Sequence, residues 1–249
     1  MTSIIVDDLS VRLGDALVLD GVNLNAPDRH IVGIVGPNGS GKTTLLRVMA
    51  GDIRPDGGSV TIGRSKVSET TIRRLAELRS FLGAEQPQNV LFPVRDLVTI
   101  GRHRVPAGAA SAVLDATDTT HLEHRVFSSL SSGEQQRVGI ARALAQRAAV
   151  VLLDEPTSAL DIGHQEMVMG ALRSHADDGH IVVAAIHDLN LAAAHADWLV
   201  LLDRGRIAAS GSPDIVLEAK LLSDVYRQPV NVVRHPHRGC PLVLTLQRA

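Results

Sequence analysis

Short apolar runs separated by turn residues dominate the first ninety or so residues. Apolar and polar positions alternate, as in half-buried strands, at residues 4–6, 10–13, 17–19, 22–24 and 59–62. Residues 30–35 form a nearly unbroken apolar run, which is typical of a strand buried on both faces. Helical spacing then begins at Thr43 and ends at Gly51, a residue type that commonly stops helices.

The pattern becomes mostly helical between about residues 87 and 149. Helices are predicted over residues 95–101, 110–117, 133–146 and, beyond this region, 163–175. Further strands are predicted at residues 150–153, 181–186, 199–202 and 206–210. A helical region opens at Ser212-Pro213-Asp214 and ends before Pro229, and a strand-like tail follows. Strand–helix–strand alternation around short apolar runs predicts an α/β fold with a parallel sheet and a helical insertion.

Composition narrows the class of protein. The 249 residues suggest one or two domains, and 45% hydrophobic residues are enough for a sizeable core. With 25 Lys+Arg against 27 Asp+Glu and only 2% aromatic residues, we expect no nucleic-acid partner. The single cysteine excludes an intrachain disulfide framework. No apolar stretch approaches the roughly 20 residues of a membrane-spanning helix, and no signal peptide is recognised, so the sequence predicts a soluble chain.

A glycine-rich loop follows the apolar run at residues 30–35. It fits the pattern G-x-x-x-x-G-K-[ST] and continues into the predicted helix, with the residues Gly36, Pro37, Asn38, Gly39, Ser40, Gly41, Lys42, Thr43 and Thr44. Glycines let successive backbone N–H groups point inward at a polyphosphate, and the helix N-terminus adds a partial positive charge. Lys42 is expected to reach the β- and γ-phosphates, and the Thr43 hydroxyl is expected to bind Mg²⁺.

Two acidic residues end the predicted strand at residues 150–153. A strand in this place is expected to hold Asp154 beside the phosphate loop, where its carboxylate can fix Mg²⁺ through water. Glu155 then lies one residue further out and is the candidate that polarises an attacking water. Together with the loop, this pair predicts an enzyme that hydrolyses nucleoside triphosphates.

A third motif reveals a resemblance to a family. Leu130-Ser131-Ser132-Gly133-Glu134, at the start of a predicted helix, resembles the signature motif LSGGQ of the ATP-binding cassette (ABC) family, with Ser132 and Glu134 as departures. The resemblance implies ATP and Mg²⁺ as ligands and a P-loop NTPase core with an antiparallel β-subdomain. It also implies a dimer in which Ser131, Ser132 and Gly133 of one copy cover the γ-phosphate bound by the other.

Other residues match the family's motifs in order. Asp161 ends a segment, Ser158-Ala-Leu-Asp161, similar to the D-loop at the dimer interface, and His187 matches the switch histidine that contacts the γ-phosphate. Gln86 is expected to be the glutamine of the family's glutamine loop, a catalytic residue that binds Mg²⁺, with Gln88 as the alternative. The aromatic residue that often stacks on adenine is missing.

In its place, Leu13 and Val18 are expected to give the base only apolar contact. Losing a stack worth about 1–3 kcal/mol predicts weaker ATP affinity or looser base selectivity.

Within the family, the chain resembles subunits that drive uptake of ferric siderophores, haem or cobalamin. The similar segments include Ile100-Gly-Arg-His, the stretch after His187 and the tail around His235-Pro236. The resemblance implies a separate polytopic permease, an extracytoplasmic substrate-binding protein and a location at the cytoplasmic face of the membrane. The alternative is a non-transport cassette that acts in iron–sulfur assembly or as a soluble scaffold.

The resemblance also implies how the chain is divided. Residues 1–86 and 150–230 are expected to form the nucleotide-binding core with its antiparallel β-subdomain. Residues 87–149 are expected to form the helical subdomain that carries the signature motif, and residues 231–249 a C-terminal tail.

Overall fold

A computed structural model describes residues 3–84, 89–100 and 108–247. The strands, in chain order, are β1 (Ser3–Leu13), β2 (Ala16–Pro27), β3 (Ile31–Val35), β4 (Gly57–Ile62), β5 (Ser65–Lys66), β6 (Arg79–Leu82), β7 (Val150–Asp154), β8 (Ile181–Ala185), β9 (Trp198–Asp203), β10 (Arg206–Gly211), β11 (Val230–Arg234) and β12 (Pro241–Thr245). The helices are α1 (Lys42–Ala50), α2 (Ile72–Leu78), α3 (Val94–Thr99), α4 (Ala109–Ala116), α5 (Ser132–Ala145), α6 (Ile162–Asp177), α7 (Leu189–His195), α8 (Pro213–Val216) and α9 (Ala219–Tyr226). None of the helices in the described ranges is long and apolar enough to cross a membrane.

A six-stranded sheet with the order β10-β9-β3-β8-β7-β6 forms the centre of the molecule. Every pair in it is parallel except β9 with β10. A second, antiparallel sheet has the order β2-β1-β4-β5. The predicted α/β fold, with a mostly parallel sheet and a separate antiparallel one, is confirmed.

The central sheet is buried on both faces, which explains its unbroken apolar strands. Successive residues of β8 alternate between two hydrophobic clusters: Val183 packs with α1 and the antiparallel sheet, whereas Val182 packs with α6, α7 and the C-terminal helices. Each apolar side chain that is fully buried in this way contributes about 1.5–3 kcal/mol to folding. A third cluster lies within the helical region around α3, α4 and α5.

Several predicted boundaries are wrong in the antiparallel sheet. Residues 4–6 and 10–13 belong to one long strand, β1, and residues 17–19 and 22–24 both belong to β2. The pairing register of the two strands shifts between Val6 and Leu9 and again between Leu9 and Val11. Such bulges interrupt the two-residue period, so the pattern looks like separate short strands.

The helices also depart from the predictions in places. Helices α2 and α7 are short and were not predicted, and the helical region expected from residue 212 to Pro229 is divided into α8 and α9. The Glu218 side chain accepts hydrogen bonds from the N–H groups of Lys220 and Leu221, which makes it the N-cap that starts α9.

The strand-like tail is a β-hairpin of β11 and β12 that packs against α7. The Asn190 side chain donates to the Val243 carbonyl at 3.2 Å and accepts from the Val243 N–H at 2.7 Å. At the turn of the hairpin, Arg238 forms an ion pair of 2.9 Å with Glu166 of α6. The hairpin is therefore attached to two helices that begin close to the candidate site.

Candidate nucleotide site

The glycine-rich loop connects β3 to α1, as predicted. Gly36 has φ +147°, and a Cβ atom there would clash with the carbonyl oxygen of Leu202. Gly41 is the N-cap of α1 in the left-handed region, with φ +107°, and a Cβ there would lie 2.7 Å from Leu19 Cδ2. These two positions require glycine, because a side chain would push the loop away from its neighbours or strain its backbone.

Lys42 lies folded over this loop. Its Nζ atom donates to the Gly36 carbonyl at 2.8 Å and to the Pro37 carbonyl at 3.0 Å, and the residue is 6% exposed. Burial lowers the pKa of Lys42 from its ordinary value, while the nearby carboxylates of Glu155 and Asp154 act in the opposite direction. The Lys42 ammonium group is thus partly shielded from water, and a bound anion would stabilise its charge.

Asp154 ends β7 and is 1% exposed. Burial raises the pKa of Asp154, and a hydrogen bond from the Thr43 side chain opposes that shift. Asp154 Oδ1 and Ser40 Oγ are buried without a hydrogen-bond partner in the described part of the chain. Because buried polar atoms are rarely unpaired, the free oxygen of Asp154, beside the Thr43 hydroxyl, fits a hydrated Mg²⁺, which prefers oxygen ligands and keeps several waters.

Glu155 and His187 meet at the carboxyl ends of β7 and β8. The distance from His187 Nε2 to Glu155 Oε1 is 2.5 Å. Glu155 has φ +52°, a backbone conformation that residues other than glycine rarely adopt. Since neighbouring parallel strands end at the same edge of a sheet, the two side chains converge there although they are 32 positions apart in sequence.

A cavity of about 460 Å³ opens between these groups. Its lining consists of Val18, Asn38, Gly39, Gly41, Lys42, Thr43, Thr44, Glu155 and His187. The cavity therefore joins the phosphate loop to the candidate base and the switch histidine. Val18, predicted to contact the base, lies in this lining, whereas Leu13 is 47% exposed at the end of β1 and does not.

The signature residues begin α5. Ser131 is its N-cap and forms a capping box with Glu134: the Ser131 hydroxyl accepts from the Glu134 N–H at 3.4 Å, and Glu134 Oε2 accepts from the Ser131 N–H at 2.7 Å. The hydroxyl also donates to the same carboxylate oxygen at 2.9 Å. The two hydrogen bonds from Ser131 to the carboxylate lower the pKa of Glu134. Glutamate in place of the usual glutamine therefore puts a negative charge beside Ser131.

The segment expected to be the D-loop lies against this helix. A Cβ on Gly133 would be 3.0 Å from the Ala159 carbonyl oxygen, so α5 approaches residues 158–161 closely. Asp161 caps α6 by accepting from the His164 N–H at 2.9 Å. Ser131, Ser132, Gly133 and Asp161 do not line the 460 Å³ cavity, so within one chain the structure does not bring them to the phosphate loop.

Some predictions concern residues that lie outside the described ranges. These are Gln86, its alternative Gln88, and Gly101, Arg102 and His103 of the segment after Ile100.

Two residues contact the candidate base in a way that the sequence did not predict: Gln136, and Ser158, which was expected only as part of the D-loop. Gln136 Nε2 donates to the main-chain carbonyl of Glu155 at 3.2 Å, and Ser158 Oγ donates to the same atom at 3.1 Å. Gln136 is 4% exposed, yet it lies in the polar stretch Glu134-Gln135-Gln136-Arg137, which gives no signal that this glutamine is buried.

Known proteins are similar to this chain in sequence. Residues 19–158 match the ABC transporter family. The "Hemin import ATP-binding protein HmuV" of Rhodococcus jostii is 42% identical over 246 residues, which cover 96% of this chain and 84% of that protein. The protein of the same name from Thermobifida fusca is 43% identical over 249 residues, covering 96% and 87%.

Solved structures share the fold. A metal-chelate type ABC transporter in an inward-facing conformation has a TM-score of 0.82 at 25% identity, covering 100% of this chain and 99% of that chain. A dimeric bacterial ABC transporter cassette has a TM-score of 0.75 at 27% identity, covering 84% and 98%. The family match spans more than half of the chain, and the relatives align over nearly all of it. The resemblance seen in the motifs is confirmed: this chain belongs to the ABC transporter family and is one of its ATPases.

Proposed function

We propose that two copies of this chain hydrolyse ATP to drive the import of haem or a related iron chelate through a separate membrane permease. The main support for ATP hydrolysis is that Lys42, Glu155 and His187 all line one cavity beside the phosphate loop. The cargo class is supported by the relatives from Rhodococcus jostii and Thermobifida fusca, which are named for hemin import.

The phosphate end of ATP lies against the loop. Backbone N–H groups of the glycine-rich loop and the N-terminus of α1 bind its oxygens. Lys42 exchanges the Gly36 and Pro37 carbonyls for the β- and γ-phosphates. Val18 gives the base an apolar contact, with Leu13 as a further candidate.

Mg²⁺ would be held by Thr43 and Asp154. We also assign Gln86, which lies outside the described ranges, to this role. When bound, the ion neutralises charge on the phosphate oxygens.

Hydrolysis then depends on Glu155 and His187. The Glu155 carboxylate orients the attacking water and accepts its proton, which is the usual contribution of a general base. His187, which contacts Glu155 at 2.5 Å, changes partner to the γ-phosphate when ATP is present. Lys42 stabilises the negative charge that spreads over the transferred phosphoryl group.

The second copy completes each site. Ser131, Ser132 and Gly133 of one copy cover the γ-phosphate held by the other, and Asp161 lies at the interface between the copies. The dimeric ABC cassette among the structural relatives supports this arrangement. Closure depends on the γ-phosphate, because it carries the charge that both faces bind, and hydrolysis lets the faces separate.

The partners follow from this arrangement. We divide the chain into a nucleotide-binding core (residues 1–86 and 150–230), a helical subdomain (residues 87–149) and a tail (residues 231–249). The permease binds between the core and the helical subdomain at the cytoplasmic face of the membrane, and a substrate-binding protein delivers the cargo on the other side. Leu91 and Phe92, 77% and 54% exposed at the start of the helical subdomain, are apolar side chains suited to such a contact.

Replacing the base tests the chemistry. Glu155→Gln keeps the shape of the side chain but cannot accept a proton, so we expect ATP binding, almost no turnover and accumulation of a dimer. Phosphate release and sedimentation with ATP measure the two effects. Glu69→Gln, which changes an exposed carboxylate paired with Lys66 at 3.1 Å, is the matched control and should keep the parental rate. Near-parental hydrolysis by Glu155→Gln would show that the base is another residue.

The cargo needs a separate experiment with the complete transporter. The chain is purified with its membrane partner, and uptake of labelled haem, a ferric siderophore and cobalamin is compared in cells that carry or lack it. We expect haem or an iron chelate to depend on the chain. Purification with soluble partners alone and no uptake defect would favour the non-transport alternative.

A further inference from the structure

The main chain at Glu155 is held in an unfavourable conformation. Its φ of +52° costs a residue with a side chain about 1 kcal/mol or more, and the next residue is Pro156, which further restricts the residue before it. Such a conformation persists only where surrounding contacts hold it, and it is common at functional sites. The contacts that hold this peptide therefore determine where the Glu155 carboxylate points.

Hydrogen bonds from three elements hold the Glu155 main chain. Its N–H donates to the Ala185 carbonyl of β8 at 3.2 Å. Its carbonyl accepts from the Ser158 N–H at 3.3 Å and the Ser158 hydroxyl at 3.1 Å, both within the same loop. The third element is α5, from which Gln136 Nε2 donates to the same carbonyl at 3.2 Å.

Gln136 is the contact that comes from the helical region. It lies in α5, the helix that begins with the signature residues, and it is 4% exposed. A buried side-chain amide needs a hydrogen-bond partner, because a buried donor without one would destabilise the fold. One rigid helix thus carries Ser131 at its N-terminus and, five residues later, a donor to the main chain of the base in the same chain.

We propose that Gln136 is a positioning residue that fixes Glu155 for hydrolysis and links its orientation to the position of the signature helix. The proposal rests on the proposed function, in which Glu155 is the base. When α5 packs against the Glu155 loop as it does here, the Gln136 amide donates to the Glu155 carbonyl and the Glu155 carboxylate faces the cavity. When α5 moves away, this bond is lost and the peptide relaxes from its unfavourable conformation. Each chain then hydrolyses ATP only while its own signature helix is in place.

Gln136→Met tests this role, because methionine has a similar length and volume but no N–H donor. We expect the kcat for ATP hydrolysis to fall about tenfold, the effect of about 1.4 kcal/mol, with the KM for ATP changed less than about twofold. The kcat of Gln136→Glu should fall further, because its carboxylate would repel the Glu155 carbonyl oxygen. Gln228→Met removes a similar bond, from Gln228 to the Leu246 carbonyl at 2.6 Å, and should keep the parental kcat.

A second measurement separates positioning from packing. Gln136→Met is added to Glu155→Gln, and ATP-dependent dimers are measured by sedimentation. We expect the dimers to persist and the residual hydrolysis to stay unchanged, because the group that Gln136 positions is already disabled. Loss of the dimers, or a Gln136→Met enzyme with parental kcat, would overturn the proposal. If Glu155→Gln alone hydrolyses ATP normally, the proposed function fails instead, whatever Gln136→Met does.

Discussion

Asn190 attaches the C-terminal hairpin to α7, and its replacement by alanine should destabilise the fold. The Asn190 side chain forms two hydrogen bonds with the main chain of Val243, at 2.7 Å and 3.2 Å, and all the atoms involved are partly buried. Val243 lies opposite Val232 in the hairpin, and both its N–H and its carbonyl form hydrogen bonds with the Asn190 side chain of α7. Asn190→Ala removes the partner that both of these main-chain groups of Val243 have in α7.

The magnitude follows from these two bonds. Each bond contributes about 1 kcal/mol, so their loss costs about 2 kcal/mol. Alanine favours a helix over asparagine by about 0.5 kcal/mol, which offsets part of this loss. The free energy of unfolding should therefore fall by about 1.5 kcal/mol. In a chain of this size that change lowers the Tm by about 3–6 °C.

Thermal unfolding followed by circular dichroism measures this shift without nucleotide. Asn231→Ala is the matched control, since Asn231 lies on the same hairpin with an exposed side chain. We expect the control to remain within about 1 °C of the parent, as is usual for an exposed position. Equal shifts in the two variants would refute the idea that the Asn190 side chain holds the hairpin in place.

Three further substitutions have expected outcomes. Asp154→Asn should raise the Tm of the nucleotide-free protein by about 2–4 °C, because burial raises the pKa of Asp154 and its charge is costly there. Protonation removes that cost, so the gain over the parent should shrink as pH falls towards the ordinary carboxyl pKa of about 3.9; a constant gain would contradict this explanation. Gly36→Ala should abolish binding of a fluorescent ATP analogue, since its Cβ would meet the Leu202 carbonyl, and normal affinity would show that the loop tolerates it. Gly170→Ala should raise the Tm by about 2–4 °C, because the position is helical and exposed with free space around it; an unchanged Tm would count against the structure there.

The parallel core was predictable because its strands are buried on both faces. Val150–Asp154 and Ile181–Ala185 stand out as apolar runs. The first ends at Asp154, and the second is followed two residues later by His187. The bulged strands β1 and β2 and the short helix α7 were less predictable. Their pairing shifts and caps depend on contacts such as Asp188 accepting from the N–H of Asn190, which a periodic pattern does not contain.

The site was predictable as far as its residues belong to motifs. Lys42, Glu155 and His187 were found from local sequence, and the structure brings them to one cavity. Gln136 was not found, since its partner is a main-chain carbonyl 19 positions away, which leaves no trace in residue type. The proposed roles of Ser131 and Asp161 involve a second copy of the chain, so one chain alone cannot display them.

The central claim is that each active site is shared by two copies of the chain, and mixing two inactive variants tests it most directly. Lys42→Ala removes the lysine proposed to bind phosphate but keeps the signature residues, whereas Ser131→Arg keeps the loop and blocks the signature. Each variant alone should be inactive, while a mixed dimer contains one complete site built from the Ser131→Arg loop and the Lys42→Ala signature. We predict that mixing restores ATP hydrolysis in proportion to the mixed dimer. A mixture as inactive as its separate components would contradict the shared site.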